Sequence, residues 1–491
     1  MESVLFKTDN YYMFSPSKNE FLVLHPLLYS IIKQKELGLT NSEINNSTNF
    51  PPNTEILADK FNHYLSRYEF LKHSGYFNTL NVEPLISKRR TDKEIEIAFS
   101  NTMLIILEAT DSCNLSCKYC AYSELYDNHF PRENVNMDFS VAKSLIDIYI
   151  VKRNSMLNKS FHKKTRINFY GGEPLMNFKL ISNVVSYISE IGYIDQFDFG
   201  MTTNGTLLEK HIDFLIQNEF DLVISLDGDK DCNSFRTFKN GKPTFSNVIN
   251  CLKKIQKNNS NYFETHIKFN AVYNKNSTID KIYNFFKSTF DKVPFISEID
   301  ANSIDTEKQK EFEKVYNSLQ KNFLSYAEDD PILDELRVSN PFSDNLRKIF
   351  LNGTFCGTLS NLRNNQAPSR VPTATCVPFS RSIHVTVSGK LFLCERIGHR
   401  DSMWDISKGL DIDFQYVADT INKKYDELKE NCLKCYGINY CNQCVMQMET
   451  SNNNYTCSGF VDEMKFERYL SATFRHFEKK PVLFDLFMIK E

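Results

Sequence analysis

Between residues 103 and 299 the chain repeats a short apolar run followed by a stretch with apolar residues three and four apart, and few folds accept that rhythm. Residues 103–107, 166–170, 197–201, 222–226, 267–272 and 295–299 read as strands. Residues 141–151, 180–191, 212–220, 245–255 and 279–286 read as helices, with Ser140 and Ser246 placed to cap two of them. Such alternation over short connections calls for parallel strands joined by right-handed crossovers. Six units of this kind make a partial barrel or an open doubly wound sheet.

A cysteine loop follows the first strand. Cys113, Cys117 and Cys120 are spaced C-x3-C-x2-C, and three thiolates this close can hold three corners of a 4Fe-4S cluster, leaving one iron without a protein ligand. Spacing alone also allows a zinc knuckle. Of the 13 cysteines, Cys232 and Cys251 stand apart, and Cys356, Cys376, Cys394, Cys432, Cys435, Cys441, Cys444 and Cys457 fall in the last third. Eight thiolates suffice for two fully ligated clusters. A zinc ribbon is the alternative, but only five residues separate Cys435 from Cys441, where a ribbon uses about 15 to 20.

The rest of the composition narrows the function. The 491 residues, 41% of them hydrophobic, allow two or three domains around a large core. A net charge of -3 gives no basic excess for nucleic acid. No basic-then-apolar leader opens the chain and no apolar run reaches membrane-spanning length, so a cytoplasmic protein without a membrane partner is expected. Thiols in that compartment stay reduced, which favours metal over disulfides.

The C-x3-C-x2-C loop with aromatic Tyr119 before its last cysteine resembles the signature of radical S-adenosylmethionine (radical SAM) enzymes. Cys376, Gly389 before Cys394, Cys432-x2-Cys435-x5-Cys441-x2-Cys444 and Cys457 resemble the SPASM extension of the peptide-modifying members. Two residues, where the family usually has three, separate Cys441 from Cys444. The resemblance implies an α/β chain: a partial (β/α)6 barrel over 100–301 and a C-terminal SPASM iron-sulfur domain over 356–491. It also implies SAM and three 4Fe-4S clusters as cofactors, one binding SAM and two auxiliary.

Further motifs take roles from the same resemblance. Tyr119 would rest against adenine. Gly171, Gly172, Glu173 and Pro174 are similar to the family's GGEP motif, which receives the SAM ammonium. Thr203, Asn204, Ser225 and Asp227 match polar strand-end positions around SAM, and Arg236 matches an arginine that pairs with its carboxylate in sulfatase-maturing relatives. Cys232 and Asn233 replace the His-Asp pair of those relatives. One auxiliary cluster would use Cys376, Cys394 and Cys444, with Cys356 as a further ligand or its place left open, and the other Cys432, Cys435, Cys441 and Cys457. Glu395 stands where formylglycine-forming maturases carry a basic aspartate; its other reading is an ion pair with Arg396 or Arg400.

Residues 1–95 hold no cysteine. Runs 11–14 and 20–24 about the turn 16–19, then a helix over 27–35, suggest a small α+β module, winged-helix-like by position; it serves as a peptide-recognition module or as a scaffold. Residues 302–355, with a helical run over 308–326, read as a bridge. The favoured function is a peptide maturase that takes hydrogen from a ribosomal precursor peptide and leaves an oxidised or crosslinked residue, thioether or carbon-linked, with flavodoxin or ferredoxin as electron donor. The alternatives are an anaerobic sulfatase maturase producing formylglycine and a non-catalytic iron-sulfur electron-transfer protein.

Overall fold

A computed structural model describes residues 1–46, 50, 58–126, 132–160, 163–301, 304–318, 370–394, 402–406, 411–438, 441, 443–451 and 454–479. Cys356, Glu395 and most of the expected bridge lie outside these residues. The chain divides into two compact units: one from Met1–Arg89 with the described parts of 351–375 and 421–491, the other from the described parts of 90–350 and 376–420.

The first unit opens with a three-stranded antiparallel sheet, β1 (Val4–Lys7), β2 (Tyr11–Ser15) and β3 (Glu20–Leu24), in that spatial order. Alternation along β1 and β2 gives the sheet two apolar faces. Val4, Phe6, Tyr12 and Phe14 pack on Phe466, Leu470 and Phe474 of the helix Glu463–Lys479. Leu5, Met13 and Leu24 face the other way, against Leu28 and Ile32 of the helix Pro26–Glu36 and Leu71 of the helix Ala58–His73. The sheet is thus shared between the two ends of the chain, which periodicity over 1–95 cannot reveal.

The second unit holds the expected strands: β4 (Leu104–Thr110), β5 (Thr165–Gly171), β6 (Phe197–Thr203), β7 (Asp221–Ser225), β8 (Ile267–Tyr273) and β9 (Phe295–Glu298). They are parallel and lie side by side in chain order. A doubly wound sheet reverses its order at a switch point; none occurs between β4 and β9, and the partial barrel is the architecture.

Three further strands, β10 (Ile383–Val385), β11 (Lys390–Phe392) and β12 (Trp404–Asp405), extend this sheet beyond β4. β10 pairs parallel to β4, with Ile383 opposite Ile105. The described parts of 376–420 fall in the unit that holds these strands.

Local expectations shift in three places. Asp138, not Ser140, caps the helix Phe139–Arg153, its carboxylate accepting from the Ser140 N–H at 2.8 Å. Thr244 stands at the N-cap of Phe245–Asn258 in place of Ser246, but its hydroxyl donates to the Arg236 carbonyl at 3.0 Å. In the bridge only Gln309–Phe312 is α-helical within 309–318. The Val315 carbonyl accepts from the Lys275 N–H at 2.9 Å, and Phe312 and Val315 are buried against Tyr119 and Tyr126; tertiary packing outweighs helical continuation.

Candidate functional site

The cysteine loop leaves the end of β4 and is held by backbone on both sides. The Gly172 and Glu173 N–H groups donate to the Thr110 and Ser112 carbonyls, each at 2.8 Å. A Cβ on Gly171, which has φ +126°, would lie 2.1 Å from the Thr110 oxygen, and one on Gly172 would lie 1.9 Å from the Ser112 oxygen. Only glycine allows this approach. Beyond Cys113 the Ser116 and Lys118 N–H groups donate to the carbonyls of Thr237 and Phe235, at 2.8 and 3.2 Å. The loop is clamped between the GGEP turn and the segment that carries Arg236.

Cys113 is buried and Cys117 and Cys120 are half-buried. Burial pushes the Cys117 thiol up to about 12; the neighbouring Cys120, Asp227 and Cys113 raise it further, and Arg236 opposes them. A bare Cys117 thiolate is strongly disfavoured there, and the positive charge of iron would offset that burial. The donor set fits a cluster. Donors already face these sulfurs: the Leu115 N–H is 3.4 Å and the Asn204 Nδ2 3.9 Å from the Cys113 Sγ.

Glu173 is fully buried at the start of the turn Pro174–Asn177. Its carboxylate accepts from the Thr203 hydroxyl at 2.7 Å, the Asn204 N–H at 2.7 Å and the Leu175 N–H at 3.2 Å. Burial raises this carboxyl to about 7 against those hydrogen bonds. The geometry makes it a clamp that ties the GGEP turn to the end of β6. Asn204 then reaches Asn114 at 2.9 Å, and Asn114 reaches the Thr206 hydroxyl at 2.8 Å. Asn114 was missed in the sequence although it sits directly after Cys113.

Tyr119, Asp227 and Arg236 form a second buried network. The Tyr119 hydroxyl donates to Asp227 Oδ2. Arg236 donates through Nε at 3.0 Å and Nη2 at 2.9 Å to Asp227 Oδ1, which also accepts from the Val272 N–H at 3.0 Å. The guanidinium carbon lies 5.4 Å from the centre of the Tyr119 ring. Ser225 ends β7 opposite Asn270 on β8. All of the expected SAM-side residues thus cluster at the C-terminal ends of β4 to β7, the face on which parallel barrels carry their sites.

The first unit carries a separate candidate centre. Cys432, Cys435, Cys441 and Cys457 line one cavity, together with Asn431 and Thr373. Burial pushes the Cys432 thiol up to about 12, with Cys441, Cys435 and Cys457 raising it further and Arg370 opposing; the four sulfurs share one field. The Val461 N–H donates to Cys435 Sγ at 3.5 Å. Among the described residues no three His, Cys, Asp or Glu side chains close to single-ion spacing. A four-iron cube spreads its thiolates over separate irons and tolerates wider spacing. Cys444 lies in this unit beside Val445, whose N–H donates to the Thr375 hydroxyl at 2.8 Å; Cys376 and Cys394 lie in the other unit, flanking β10 and β11. Every described cysteine is a free thiol.

Residues 107–288 match the Radical SAM superfamily. These residues form a radical SAM domain. This radical SAM protein is an enzyme, with SAM and a 4Fe-4S cluster as cofactors. It is 23% identical over 451 residues to the radical SAM cyclopropyl synthase TigE of Paramaledivibacter caminithermalis, covering 89% of this chain and 87% of the relative. It is 25% identical to a cysteine-type anaerobic sulfatase-maturating enzyme of Clostridium perfringens, over 75% of this chain and 97% of the relative. An uncharacterized protein of Methanocaldococcus jannaschii is 35% identical over 28% of this chain, a match that spans only 44% of that relative. The solved structure of anSMEcpe with bound AdoMet superposes with a TM-score of 0.50 at 21% identity, covering 78% of this chain and 94% of that one; this likeness supports the fold. Among the described residues no helix is long and apolar enough to cross a membrane.

Proposed function

We propose that this radical SAM enzyme is a peptide maturase with two auxiliary 4Fe-4S clusters that leaves an oxidised or crosslinked residue in a ribosomal precursor peptide. The observation that carries the reading is the convergence of Cys432, Cys435, Cys441 and Cys457 on one cavity in a unit that lacks the SAM-side residues. When bound, SAM and its cluster supply a 5'-deoxyadenosyl radical that removes hydrogen from substrate. The chain's own tasks are to orient SAM through the Tyr119, Asp227 and Arg236 network, to exclude water around the cysteine loop, and to give the second electron a route out. A second auxiliary cluster is expected among the remaining C-terminal cysteines, and flavodoxin or ferredoxin supplies electrons.

Peptide recognition falls to the N-terminal sheet. Among the described residues the outer side of β3 has no strand partner, and Val23 on it is 76% exposed. An extended leader can add a strand there. The likeness to TigE supports the maturase reading; the likeness to sulfatase-maturating enzymes supports formylglycine formation as the second, in which Glu395 would be the base. Co-expression with a neighbouring small precursor peptide, followed by mass spectrometry, separates them. A mass loss or crosslink on the precursor supports the first, whereas formylglycine on a co-expressed sulfatase and an unmodified precursor support the second.

A further inference from the structure

Arg132 stands beside the cysteine loop, in a segment fixed from several sides. Asp111, two residues before Cys113, accepts from the Glu133 N–H at 2.8 Å and the Val135 N–H at 2.6 Å. The Val135 carbonyl in turn accepts from the Asp111 N–H at 3.1 Å and the Thr110 hydroxyl at 2.9 Å. From this anchor the Arg132 Nη2 donates to Cys120 Sγ at 3.3 Å, and the guanidinium carbon lies 4.7 Å from the centre of the Tyr122 ring. The arginine's field reaches Cys113 as well as Cys120, and the buried Glu108 carboxyl lies within its range.

One donor is left over. The Arg132 Nε is buried and has no hydrogen-bond partner among the described residues. An orphaned charged donor costs free energy unless an acceptor arrives. A 4Fe-4S cluster on Cys113, Cys117 and Cys120 brings such acceptors in its bridging sulfides, next to the sulfur that Nη2 already touches.

We propose that Arg132 is a redox-positioning residue: by hydrogen bonding to the Cys120 sulfur and to sulfide of the cluster, it favours the reduced form and raises the reduction potential at which this enzyme accepts its first electron. Reduction adds one electron, supplied by an external one-electron donor, and hence one negative charge to the cluster. A fixed guanidinium stabilises the more negative state. Tyr122 keeps the planar group in place by stacking.

The test is a redox titration of the reconstituted full-length protein, followed by electron paramagnetic resonance, reading the signal that changes on adding SAM. Iron content is measured alongside. With Arg132→Gln the ratio of reduced to oxidised cluster at fixed potential should fall about tenfold, equivalent to about 59 mV for a one-electron couple. Arg132→Lys keeps the charge but cannot reach sulfur and sulfide together, so its ratio should fall by about threefold. If Arg132→Gln fails to retain the SAM-responsive signal, the lysine variant decides. A wild-type midpoint in the variant that retains the cluster overturns the proposal.

Discussion

Asp227 holds two groups at once, a buried guanidinium and a buried phenol, from strand ends and loops that meet only in the folded chain. Removing its charge leaves Arg236 buried without a counter-ion, which typically costs about 3 to 5 kcal/mol. Asp227→Asn should therefore destabilise the barrel unit measurably in anaerobic denaturant titrations. It should also weaken SAM by about tenfold in equilibrium binding, a loss of about 1.4 kcal/mol, because the freed guanidinium and Tyr119 ring no longer share one orientation. Wild-type SAM affinity in this variant would reduce the network to a packing feature. At this scale the sequence marks Tyr119, Asp227 and Arg236 as separate candidates; their mutual contact arises from tertiary placement.

At the scale of elements, the two glycines after β5 decide whether the cysteine loop can lie where it does. Gly171→Ala places a methyl group against the Thr110 carbonyl at a φ that side chains rarely adopt. The loop must move, and anaerobically reconstituted protein should lose about four irons per chain, one cluster's worth, together with the SAM-responsive signal. A second element-scale contact joins chain ends. Glu478, on the helix Glu463–Lys479, accepts from the Thr8 hydroxyl at 2.6 Å, the Asn10 N–H at 3.2 Å and the Tyr12 hydroxyl at 2.8 Å. Burial raises its carboxyl, but these bonds outweigh it and bring it down to about 2. The folded value lies below the unfolded one, so the stabilisation is present above about 4.5 and is lost as pH falls toward 2. Glu478→Ala should cost about 1 to 2 kcal/mol at neutral pH. It should also speed hydrogen exchange in residues 463–479, and the difference from wild type should shrink below pH 4.

For the whole molecule the prediction concerns division of labour between two cysteine centres in two units. Cys435→Ala combined with Cys441→Ala should lower iron from about twelve to about eight per chain, since each cluster holds four. It should stop formation of modified peptide while some SAM cleavage continues. Iron counting and quantification of 5'-deoxyadenosine check both halves, and full loss of SAM cleavage would contradict the separation. Deleting residues 1–95 is a poor test of peptide recognition, because Val4, Phe6, Tyr12 and Phe14 share a core with Phe466, Leu470 and Phe474. Val23→Glu leaves that core intact and should weaken precursor binding about fivefold if β3 takes the leader, since a charge on an edge strand opposes pairing.

The sequence by itself determined what depends on near neighbours along the chain: the six barrel strands and their helices, because burial imposes periods of about 2 and 3.6, and the Cys113 loop, because thiolate spacing limits what it can bind. The GGEP turn was legible from its likeness to the family motif, but that its glycines lie against the Thr110 and Ser112 carbonyls was not. Tertiary structure alone decided the rest. It pairs β10 with β4 and joins β1 and β2 to the helix Glu463–Lys479. It also brings Arg132 to Cys120. Each of these contacts joins residues whose packing, charge or hydrogen-bonding need is met by a partner that no local period identifies.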